Sequence, residues 1–114
     1  MGIMDTRYPA YEVKKGHTGK PLYYLRRLEA DRSKGLVVRQ DSKFGLFGEV
    51  EKIIQVKSYT RLNEGEYTRS GICAENNLYL SVVDENDKET VYRFTMASHL
   101  NVIEKYLSKY TKKH

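Results

Sequence analysis

From Tyr8 to Phe94 the apolar residues fall in short runs, rich in β-branched and aromatic side chains and broken by clusters of Gly, Asn and Asp. That order predicts strands, at residues 8–15, 21–28, 34–40, 49–59, 66–74, 77–83 and 89–95. The fourth run, "EVEKIIQVKSY", also places Val50, Ile53, Ile54 and Lys57 at helical spacing, but its Val/Ile density and the "LNEGE" turn after it favour a strand. Glycines mark the first turn ("GHTGK") and a bent connection ("DSKFGLFG"), and the Asx-rich "DENDK" turns the last hairpin. After Ser98 the rhythm changes. Leu100, Ile103, Leu107 and Tyr110 make one helical stripe, widened by Val102 and Tyr106. Ser98 is the expected N-cap, and Lys109, Lys112 and Lys113 suit the negative end of the helix dipole.

Length sets one domain, over 8–111, behind a flexible segment at 1–7. Mean hydropathy is −0.68, and no apolar run approaches the roughly 18 residues of a membrane span. The first ten residues include Asp5 and Arg7 and carry no apolar core of a signal peptide. A lone cysteine, Cys73, leaves no intrachain disulfide and no multi-cysteine zinc site, and fits a cytoplasmic chain. The net charge of +5 is unevenly spread. Residues 1–43 carry ten Lys/Arg against five Asp/Glu, residues 44–93 six against nine, and residues 94–114 four against one. A basic start and end around an acidic middle points to an anionic partner for one face.

Seven short antiparallel strands followed by one amphipathic helix resemble the pleckstrin-homology-like fold. The stretch "LYLSVVDENDKETVYRFTMASHLNVIEKYLSKY" carries the resemblance, as a last hairpin, a small-residue junction and a capping helix. The resemblance implies a mainly β domain, a seven-stranded, partly open barrel whose open end is plugged by the C-terminal helix. Tyr106 stands where that family usually has an inward tryptophan. Members that bind phosphoinositides carry a basic residue at the end of strand one and a basic-x-Arg pair early in strand two. Here Lys14 and Lys15 end strand one, whereas Arg26 and Arg27 come at the far end of strand two.

The leading expectation is therefore a non-enzymatic module that recognises an anionic, phosphoinositide-like membrane headgroup. Its ligand-binding residues are Lys14, Lys15, His17 and Lys20 on the first-loop face, supported by Arg26 and Arg27. The two glycines of "KKGHTGK" would let backbone amides turn inward as an anion nest. The chain would sit in the cytoplasm, peripherally at a membrane or cytoskeletal structure. "MGIMDT" matches an N-myristoylation pattern through Gly2 and Thr6, with the nearby lysines as the second signal one acyl chain requires. A chance match, with Met4 as the natural start, is the alternative reading. A protein-interaction or scaffold role is the competing function, using a groove between a strand edge and the C-terminal helix and an acidic protein segment or a second copy as partner. Single-stranded nucleic acid, stacked on tyrosines, is the weakest class. His17, His99 and His114 are scattered, Cys73 reads as a core thiol, and "DENDKE" lacks the spacing of a calcium loop. No catalysis, metal or cofactor is expected.

Overall fold

The computed structural model describes residues 7–43, 46, 48–110 and 112–113. It is mainly β, with seven antiparallel strands in one open sheet and one C-terminal helix. The strands are β1 (Tyr8–Lys15), β2 (Pro21–Asp31), β3 (Gly35–Asp41), β4 (Glu49–Ile54), β5 (Val56–Leu62), β6 (Tyr79–Asp84) and β7 (Glu89–Phe94). Helix α1 (Ala97–Tyr110) follows, and β8 (Lys112–Lys113) adds a short parallel pairing to β5. Across the sheet the order is β4-β3-β2-β1-β7-β6-β5-β8.

One consequence of that order fixes the shape. β4 and β5 lie at opposite ends of the antiparallel array, yet a single residue, Gln55, joins them. The sheet must therefore curl until its two ends meet. Its concave side holds the main core: Ala10, Leu28, Leu36, Val38, Tyr59, Leu80, Tyr92 and Phe94 from the strands, with Leu100, Ile103 and Leu107 from α1. The helix stripe thus plugs the concavity. A curled, unclosed sheet would otherwise leave these side chains in water, at roughly 25 cal/mol for each Å² of apolar surface.

Three expectations change at this level. The run over 49–59 is two strands broken at Gln55, with no glycine or proline to mark the break. The run over 66–74 is not a sheet strand but part of a long β5–β6 connection, 63–78, which closes on itself through one bridge, Tyr67 with Cys73. Helix α1 begins before Ser98: the Met96 carbonyl accepts from the Leu100 amide (3.3 Å), placing Ser98 inside the first turn. Of the predicted stripe, Tyr110 stays exposed with its ring 5.1 Å from Tyr106. Tyr106 packs at the rim of the core and donates its hydroxyl to the Asp31 carbonyl (2.7 Å).

The 63–78 connection covers the convex side. Ile72 and Ala74 pack there with Val13, Leu62, Tyr79 and Val91 in a second core. Its tip turns tightly, the Gly71 amide donating to the Thr68 carbonyl (3.0 Å) at φ +87°, a left-handed conformation that glycine adopts freely. A Cβ at Gly71 would also lie 3.1 Å from the Lys15 ammonium. The loop thereby rests directly against the end of β1.

Candidate functional site

The end of β1 is where the sheet opens. β1 pairs with β7 from Ala10↔Phe94 to Val13↔Val91, and there the ladder stops, although β1 runs on to Lys15 and β7 reaches back to Glu89. The two strands splay. Between them lies a cleft of about 280 Å³, lined by Lys14, Lys15, Lys88, Thr90, Ser70 and Glu89, with Glu12 at its edge. Lys15 and Lys88 form no ion pair among the described residues, and Lys14 stands 3.9 Å from Glu12.

The two carboxylates here are both engaged, one by a cation and one by neutral donors. Glu12 accepts from the Arg26 guanidinium at 3.1 Å. Glu89 accepts four hydrogen bonds: from the Ser70 amide (3.0 Å) and hydroxyl (2.6 Å), the Ser81 hydroxyl (2.6 Å) and the Arg69 amide (3.3 Å). Burial pushes the Glu89 carboxyl up, but the bonds from Ser70, Ser81 and Arg69 outweigh it and hold the group below the ordinary glutamate range. Glu89 therefore latches the tip of the 63–78 connection onto β7 while keeping its negative charge, and Lys14, Lys15 and Lys88 outnumber the cleft's two carboxylates.

The structure divides the sequence candidates. Lys14 and Lys15 line the cleft. His17 and Lys20 stand exposed on the turn beyond it. The expected amide nest is absent from that turn, because Gly16 donates to the Lys20 carbonyl (2.8 Å) and Gly19 to the Gly16 carbonyl (3.0 Å). Arg26 and Arg27 lie away from the loop, since Leu22 and Pro21, not they, pair with Lys14 and Lys15. They point to opposite faces, as adjacent strand residues must. Arg26 is held by Glu12, and Arg27 by Glu49 (2.9 Å) and Asp41 (3.0 Å). Gly2 lies outside the described residues.

Lys88, Thr90 and Ser70 escape the sequence because they join the site only through the β1–β7 pairing. The available signal was the lysine closing "DENDK" at the head of the last strand. On the other side of Lys15 a second cleft, of about 330 Å³, runs over Gly19, Pro21, Tyr67, Gly71 and Cys73 to Glu75. A wider hollow, about 500 Å³, lies on the convex face of β5–β7. It is floored by Ser58, Thr60, Leu62, Ser81 and Val83 and closed at one end by the Lys57–Asp87 ion pair at 2.8 Å. The edge of β5 beside α1, where the competing reading puts a peptide, carries the chain's own Lys112 and Lys113, paired with Ser58 and Tyr59.

His99 is tucked against Tyr8, ring centroids 5.0 Å apart, far in the fold from the exposed His17. Cys73 is half-buried beside the Ala74 carbonyl. Among the described residues no three His, Cys, Asp or Glu side chains group to hold a metal ion, and no helix is long and apolar enough to cross a membrane.

No family model matches the chain, and neither a curated protein nor a solved structure matches it.

Proposed function

We propose that the chain is a non-enzymatic binding module of pleckstrin-homology-like architecture that takes an anionic, phosphoinositide-like headgroup into the cleft between β1 and β7. The splayed end of the β1–β7 ladder carries this reading: it sets Lys14, Lys15 and Lys88 around one hollow whose carboxylates are already satisfied. Lysine suits the role as a compact point charge on a flexible stem, able to follow phosphates of different position. Strand ends whose amides have left the ladder, with the Thr90 hydroxyl beside them, supply neutral donors at the same place. Lys20 and His17 on the turn would add a second contact with an anionic surface, peripheral to it and without insertion.

Vesicle co-sedimentation tests this, comparing phosphatidylcholine alone with phosphatidylcholine containing a phosphatidylinositol bisphosphate. At about 1 kcal/mol for each lysine near an anionic surface, Lys15→Glu with Lys88→Glu lowers binding by more than about tenfold. Soluble inositol polyphosphate separates the sources of the shared chemistry. Competition by it assigns the cleft to the headgroup, and no competition assigns binding to the charged surface. Equal pelleting with and without the anionic lipid would sink the proposal.

A further inference from the structure

β2 is longer than either of its neighbours requires. It pairs with β1 along Pro21–Leu28 but with β3 only from Arg27↔Arg39 to Asp31↔Gly35. From Leu22 to Arg26 its second edge has no strand partner among the described residues. Along such an edge alternate residues direct a backbone N–H and C=O away from the sheet. One of these carbonyls, that of Leu25, accepts from the guanidinium of Arg26 at 3.2 Å, a side chain bonding where a strand would.

The side chains of this segment are as unusual as its edge. Leu22, Tyr23, Tyr24 and Leu25 are consecutive, apolar or aromatic, and 45, 36, 39 and 49% exposed. None belongs to either core. An unpaired apolar edge is ordinarily blunted by a charge or a proline within it, and Leu22–Leu25 contains neither. The surrounding charge is positive. Lys14 and Arg26 lie over the Tyr24 ring, 5.4 and 5.5 Å from its centroid, and Lys20 precedes the segment with no ion pair among the described residues. The carboxylates nearby are engaged: Glu12 by Arg26, Asp41 and Glu49 by Arg27, and Glu75 by the Tyr23 hydroxyl at 2.5 Å, which leaves Lys20 as the cation in surplus.

We infer that the free edge of β2 at Leu22–Leu25 takes an extended peptide strand of another protein, apolar at alternate positions and acidic at its ends. Backbone pairing supplies the affinity and the basic flanks set the preference. A second copy of this chain fits poorly. Antiparallel self-pairing centred between Tyr23 and Tyr24 ends at Pro21 opposite Arg26, because β3 holds that edge from Arg27 on, and it brings Lys20 of each copy to the Arg26 end of the other with no acid in the segment to meet it. The acidic strand meets the same cations as complements. Lys14 borders both this site and the cleft between β1 and β7, whereas neither Lys15 nor Lys88 takes part in it.

The test is a fluorescence-anisotropy titration with a labelled, blocked peptide, Asp-Glu-Val-Thr-Ile-Thr-Val-Glu-Asp, and two versions of it N-methylated at complementary alternate residues. The expected result is saturable binding that one N-methyl pattern abolishes and the other spares, since only the amides facing the edge matter. Replacing the four acids by glutamine weakens binding, and the loss shrinks at high salt. Leu22→Lys and Leu25→Lys, at exposed positions that keep the thermal midpoint near the parent's, each weaken binding roughly tenfold. Lys15→Glu with Lys88→Glu leaves it within about twofold, so this site and the headgroup cleft stand or fall apart. Equal binding of all three peptides overturns the inference, as does no binding at millimolar peptide. A concentration-dependent dimer in sedimentation velocity that Leu25→Lys dissolves overturns it too, by giving the edge to a second copy.

Discussion

At the scale of single residues, Glu89 ties the two halves of the structure together. Three of its four hydrogen bonds hold the 63–78 connection on the convex face, the fourth comes from Ser81 of β6, and its depressed pKa gives the latch a pH dependence. A carboxylate whose folded pKa lies below its unfolded one stabilises fully above the unfolded value, and the contribution drains away as pH falls through the folded one. Glu89→Gln is therefore expected to lower stability by about 1 kcal/mol near neutral pH, the charge-assisted bonds being discounted for partial exposure. The gap to the parent should narrow from neutral to acid pH, as the Glu89 carboxylate takes up its proton. Urea unfolding at neutral and acid pH measures it, and a gap that stays constant would mean that the charge is not what holds the loop. Of the cleft's residues, Lys14 and Lys15 were legible because a strand end and a turn sit next to them in sequence. Glu89, Lys88 and Ser70 were not, because their roles depend on which strand β1 finds as its second neighbour. Arg26 and Arg27 misled for a related reason: charge is visible in a sequence, but the carboxylate already bound to it is not.

At the scale of elements, α1 was the most legible and the β4–β5 junction the least. A stripe of Leu100, Ile103 and Leu107 declares its buried face from spacing alone, and all three are buried. Leu107→Ala is expected to cost about 2–5 kcal/mol and Ile103→Asp to unfold the domain, whereas Lys105→Ala, on the exposed face, shifts stability by less than about 0.5 kcal/mol. Thermal unfolding by circular dichroism checks all three. If Ile103→Asp stays folded, the helix is not the plug of the concave core. The strand boundaries were harder. Gln55 breaks "EKIIQVKSY" with none of the residues that ordinarily mark a turn, because the sharp bend is imposed by a sheet curling until its ends meet. In the 66–74 run Ile72 and Ala74 are apolar because they pack down onto the sheet, not because they pair within it. The same side chains serve either purpose, so the pattern cannot separate them.

At the scale of the whole molecule, the basic start of the chain gains its meaning from the strand order. Lys14 and Lys15 belong to a strand whose two neighbours are β2 and β7, so charges distant in sequence gather at one open end of the sheet. Binding there should weaken steeply with salt, because at physiological ionic strength the screening length is only about 8 Å and the lysines are exposed. The central place of β1 also has a consequence in time. On a ribosome, β1 to β4 emerge as a meander able to pair at once, but the partner for the other side of β1, from Val91 to Phe94, is made only after β5 and β6. Until then β1 presents an unpaired edge along its length, and the concave apolar face lacks its plug, a state prone to misassociation. A nascent chain stalled before β7 should therefore remain protease-sensitive throughout, and one extended past α1 should become resistant in a single step. The order of strands that builds the cleft makes folding wait for β7 and α1.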